Sequence, residues 1–69
     1  MNTDLEEAIL AILEQRPKRS FMWIHRRLIK DGVRKWMPGY SMGHLLGALH
    51  RMDIDGFVFS KDGDWSVNG

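Results

Sequence analysis

The stretch Leu45-Leu46-Gly47-Ala48-Leu49-His50-Arg51-Met52-Asp53-Ile54-Asp55-Gly56-Phe57-Val58-Phe59 decides the fold of this 69-residue chain. Met42, Leu45, Leu49 and Met52 recur at i, i+3, i+7 and i+10, the apolar stripe of an amphipathic helix, and Leu46 widens it. Ser41 stands where an N-cap is needed, so the spacing predicts a helix over about 41–53. The other side of that helix presents Gly43, His44, Gly47, Ala48 and Arg51. Each interior glycine costs roughly 1 kcal/mol against alanine, which suggests that something approaches this backbone closely. After Gly56, the aromatic and β-branched run Phe57-Val58-Phe59 reads as a strand, Asp62-Gly63 as a tight hairpin turn, and Trp65-Ser66-Val67 as the returning strand.

Upstream, Thr3 and Glu6 have the spacing of a capping box, and Leu5, Ile9, Ile12 and Leu13 form the stripe of a first helix over about 4–15. Pro17 disfavours helical geometry at Arg16 and ends it. Ser20 is placed to cap a second helix over about 21–31, in which Phe21, Ile24 and Leu28 share one face while Arg26, Arg27 and Lys30 fall mainly on the others. Gly32 fits the residue just past its end. The segment Val33-Arg34-Lys35-Trp36-Met37-Pro38-Gly39-Tyr40 combines turn punctuation with two large aromatics. It is too long for the connection of a simple helix-turn-helix.

The length holds one domain, residues 1–69, with one small core. The expected class is mainly α with a small β-hairpin. With no cysteine, and with His25, His44 and His50 lacking close carboxylate partners in a ligand-like pattern, no metal or other cofactor is expected. The acidic start Met1-Asn2-Thr3-Asp4 lacks the order of a signal peptide and no apolar run is long, so the expectation is a soluble, cytoplasmic protein without membrane contact. Neither a nucleophile-base order nor a phosphate-cradling glycine loop is present, so catalysis is not expected.

A formal net charge of +1 conceals a sharp segregation. Residues 1–15 carry four acids and no base, residues 16–51 nine bases and one acid, and residues 52–69 four acids and one base. Eight of those bases, Arg16, Lys18, Arg19, Arg26, Arg27, Lys30, Arg34 and Lys35, fall within twenty consecutive residues opposed only by Asp31. Such a patch suits a polyanion.

The order helix, helix, helix, hairpin resembles the winged helix-turn-helix superfamily, and within it looks most like the DNA-binding half of PadR-type transcription regulators. The likeness is carried by AILAILEQRP in the first helix, the second helix with its Gly32 end, the Pro38-Gly39 pair and, most specifically, ALHRMDIDGFV. Here the Pro-Gly pair stands about one helical turn further from the ALHR segment than in that family's pattern. The resemblance implies three helices plus a two-stranded wing, and a bacterial or phage-type regulator of transcription bound to double-stranded DNA. The helix at about 41–53 would enter the major groove, bringing Ser41, His44, Gly47 and Arg51 to bases or phosphates. Arg26, Arg27, Lys30, Arg34 and Lys35 would contact phosphates. Lys61 at the wing tip would add a marginal contact, because Asp62 and Asp64 beside it repel phosphate.

A different class of function stands beside this one. Trp and Tyr are enriched at binding hot spots, so Trp36, Met37 and Tyr40 form a candidate surface for a protein partner, as does the acidic first helix. Trp36 and Tyr40 could equally fold back to enlarge a small core. A homodimer is a further alternative.

Overall fold

The computed structural model describes residues 3–69, apart from the side chain of Thr3. The capping box expected of Thr3 and Glu6 therefore lies outside the described residues. In chain order the elements are α1 (Thr3–Gln15), β1 (Arg19–Ser20), α2 (Phe21–Lys30), α3 (Val33–Trp36), α4 (Met42–Ile54), β2 (Val58–Lys61) and β3 (Asp64–Val67). The strands form one antiparallel sheet in the order β1-β3-β2. The architecture is thus mainly helical with a small three-stranded sheet.

Two expectations are corrected here. The sheet has three strands rather than two, because Arg19 and Ser20 pair with Trp65 and Asp64 along the outer edge of β3. Lys18, at φ 59°, turns the chain into that pairing, and its N–H donates to Ser66 Oγ at 3.2 Å. A third strand satisfies backbone groups that a two-stranded hairpin would leave open on β3. The second correction concerns the segment after Gly32, which folds its first four residues into the single-turn helix α3. The helix expected at about 41–53 is therefore the fourth.

Local signals explain the boundaries. Ser20 caps α2 by accepting the Trp23 N–H at 3.1 Å. Gly32, at φ 86°, follows the C-cap Asp31 and donates to the Ile29 carbonyl at 3.1 Å. At the end of α4, Gly56 (φ 83°) donates to Asp53 and Phe57 donates back to Met52, at 3.0 and 2.9 Å. This is a Schellman motif, and its left-handed residue is what aims the chain from helix into strand. Asp62 and Gly63, both at positive φ, make the two-residue turn between Lys61 and Asp64. The right-handed twist of paired strands favours that turn geometry.

The core is drawn from most elements. Leu5, Ile9, Ile12 and Leu13 of α1 meet Ile24 and Leu28 of α2, Val33, Tyr40, the α4 residues Leu45, Leu49 and Met52, and Val58 of β2. Phe21, Trp65 and Val67 pack at its margin. Two residues assigned to the α4 stripe lie elsewhere: Met42 is 43% exposed and Leu46 is 59% exposed. Leu46 sits about 100° around the helix from Leu45, beyond the arc that Leu45, Leu49 and Met52 press into the core. Met42 occupies the first helical position, where Tyr40 rather than Met42 fills the adjoining interior.

Candidate nucleic-acid interface

The basic residues lie on the outer faces of α2 and α3. Ile24 and Leu28 point α2 inward, which leaves Arg26 and Lys30 exposed, while α3 carries the exposed Arg34 and Lys35 on a single turn. Arg26 and Arg34 line one hollow of about 420 Å³ together with Met22, His25 and Ile29. Around the other side of α2, Arg26, Arg27 and Lys30 share a second hollow with Trp23. Arg27 is less free than its neighbours. Its Nε donates to both Asp31 oxygens, at 3.2 and 3.0 Å, and its guanidinium lies 5.9 Å from the Trp23 ring.

Arg19, one of the run of bases, is brought against Trp23 on this surface. The Arg19 guanidinium stacks 4.8 Å from the Trp23 ring centre, a cation-π contact that holds a further positive charge against the exposed side of α2. The juxtaposition depends on the turn through Lys18. No local spacing rule reveals it.

The joint between this basic surface and α4 is a stack of three rings. Tyr40, 3% exposed, lies between His25 of α2 (centroids 5.5 Å apart, planes at 21°) and His44 of α4 (6.5 Å, 30°). Its hydroxyl shares a 2.9 Å hydrogen bond with His25 Nδ1. Burial raises the Tyr40 pKa above its ordinary value, and the nearby Arg34 guanidinium partly opposes that shift.

Ser41 and His44 are largely occupied in holding α4. The Ser41 N–H donates to His44 Nδ1 at 3.2 Å, and Ser41 Oγ lies 3.0 Å from the same nitrogen. This is a capping box with histidine in the usual glutamate position. His44, Gly47 and Arg51 do come together, along a groove of about 310 Å³ that also involves Leu5, Glu6, Met37, Gly43 and Ala48. That groove runs between α4 and the start of α1, so Glu6 contributes negative charge to its wall. Gly47 is not required by internal packing, since a Cβ there would meet nothing within 4 Å.

Lys61 stands apart from these residues. It shares a hollow on the sheet with Lys18, Phe59, Asp62, Asp64 and Ser66, where two lysines face two aspartates. Trp36, Met37 and Tyr40 are not brought together as a docking surface. Tyr40 is core, Met37 is half-buried beside the α1–α4 groove, and Trp36 is exposed at a separate hollow bordered by Ala8, Ala11, Arg27 and Asp31.

Among the described residues no group of histidine, aspartate and glutamate is placed to hold a metal ion. No helix among them is long and apolar enough to cross a membrane. No family model, curated protein or solved structure matches the chain.

Proposed function

We propose that the chain is a winged-helix protein that binds double-stranded DNA and regulates transcription in a bacterial or phage setting, acting in the cytoplasm. In this reading β2, β3 and their turn are the wing, α4 is the recognition helix, and α2 with α3 forms a phosphate-binding platform. The observation that carries it is the exposed basic surface of α2 and α3, joined through the Tyr40 ring stack to a helix whose Gly47 faces open space. The platform supplies affinity without sequence information, because phosphates are alike along the duplex. Arg26, Lys30, Arg34 and Lys35 are its principal contacts, with Arg27 reduced by its pairing to Asp31. Lys61 and Lys18 offer a weaker contact from the sheet, offset by Asp62 and Asp64.

Binding of a labelled duplex followed by fluorescence anisotropy at low salt tests the reading. A saturable, salt-weakened complex is expected. No complex at low salt contradicts it.

Partner docking is the second reading, and what favours it is Trp36, 45% exposed at the mouth of the hollow beside α1. It predicts that Trp36→Ser abolishes a stoichiometric protein complex while the fold is kept.

A further inference from the structure

Resting on the DNA-binding reading above, we propose that the N-terminal half of α4 recognises the C5-methyl groups of thymine in the major groove, with Leu46 and Met42 as the contacting side chains. Its substrate is then A·T-rich duplex read by apolar contact.

The argument begins with what this half-helix exposes. Met42 and Leu46 are separated by four residues and so lie one above the other on the helix surface. Both are exposed although both are large and apolar. Gly43 and Gly47 form the adjoining column at the same spacing, and neither projects a side chain that would hold α4 away from a partner. The result is a smooth strip, an apolar column beside bare backbone. Hydrogen-bonding groups are scarce on it, because Ser41 and His44 Nδ1 are engaged with each other in the cap.

A strip of this kind matches one chemical feature of the major groove. Each base pair there displays hydrogen-bond donors and acceptors, and the apolar group among them is the thymine methyl. A leucine that contacts such methyls gains from the removal of both surfaces from water. Arginine and asparagine, the usual bidentate readers, are absent from this half-helix, whose remaining side-chain donor is the single N–H of His44 Nε2.

Charge commits the strip to DNA rather than to a second copy or another protein. Arg26 and Arg34 stand on the elements joined to the start of α4 by Tyr40, where phosphates flanking the groove would lie. Beyond Arg51 the opposite end of α4 bears Asp53 and Asp55, which phosphates repel, so the duplex is approached most closely by the N-terminal half.

Replacing thymidine by deoxyuridine removes the methyl and leaves charge and base pairing in place. The test is an anisotropy titration of the whole chain with a short alternating A·T duplex and with its deoxyuridine counterpart, at one low salt concentration. The uracil duplex should bind about fourfold more weakly for each methyl covered, the equivalent of losing one buried methyl group. In Leu46→Ala, an exposed position whose loss leaves the core intact, the preference should shrink by about fourfold for each methyl that Leu46 covers, leaving the part due to Met42. Equal affinity of the natural chain for both duplexes overturns the methyl contact and leaves DNA binding standing. A preference undiminished in Leu46→Ala overturns the assignment to Leu46. No binding of either duplex overturns the DNA reading and this proposal with it.

Discussion

Gly47 separates the requirements of folding from those of binding. Its position costs helix stability, and no neighbour inside the molecule uses the space it leaves. Gly47→Ala should therefore stabilise the protein by about 1 kcal/mol, the propensity difference in a helix interior. It should also weaken DNA binding if the backbone meets a groove there. Chemical denaturation and a duplex titration on the same variant check both halves, and a loss of stability would show a packing role that the geometry does not contain. The arginines divide in a similar way. Arg26 and Arg34 are exposed side chains that pair with no carboxylate among the described residues, whereas Arg27 is paired with Asp31. Arg26→Ala or Arg34→Ala should lower affinity for every duplex and reduce the salt slope by about one each, with a smaller change for Arg27→Ala. Equal effects at all three positions would contradict that ranking.

At the scale of elements, the Tyr40 stack is the joint that places α4 beside the basic platform. Tyr40 is the single tyrosine of the chain, so its ionisation can be followed by absorbance without interference from another tyrosine. Its pKa is raised in the folded state by burial. The folded protein therefore holds the phenolic proton where the unfolded chain has released it, and stability falls as pH rises past the unfolded value of about 10. Below that pH both states are protonated and the contribution is constant. Spectrophotometric titration should place tyrosinate formation above 10 in the native protein and return it to the ordinary value in denaturant. A native midpoint at or below 10 would show that Tyr40 is solvated.

The same scale shows what was legible beforehand. The stripe of α1, the Ser20 cap, the Gly32 termination, the strand after Gly56 and the Asp62-Gly63 turn each rest on neighbours in sequence, and each was readable. Strand β1 was not, because two residues carry no alternation and their extended form is imposed by the edge of β3, more than forty positions away. Helix α3 is too short to show a period. Apolarity alone could not place Met42 and Leu46 outside, since periodicity marks a stripe but not the width of the arc that its neighbours cover. For the candidate interface, the charge on α2 and α3 was visible as a run of bases. The pairing of Arg27, the cap that occupies His44 and the Arg19–Trp23 contact depend on side-chain geometry.

For the whole molecule, segregation matters more than the net charge of +1. Acidic residues are concentrated on α1, the end of α4 and the hairpin while α2 and α3 carry most of the bases, so the protein would orient before it touches a polyanion. That orientation requires affinity dominated by counterion release from the face of Arg26, Lys30, Arg34 and Lys35, with the apolar strip of α4 adding selectivity. The most direct measurement is the dissociation constant for one A·T-rich duplex across a series of salt concentrations. The account predicts a straight fall of log affinity with log salt, with a slope of about −3 to −4 for four phosphate contacts. A complex whose affinity does not change with salt, or no complex at the lowest salt, would contradict it.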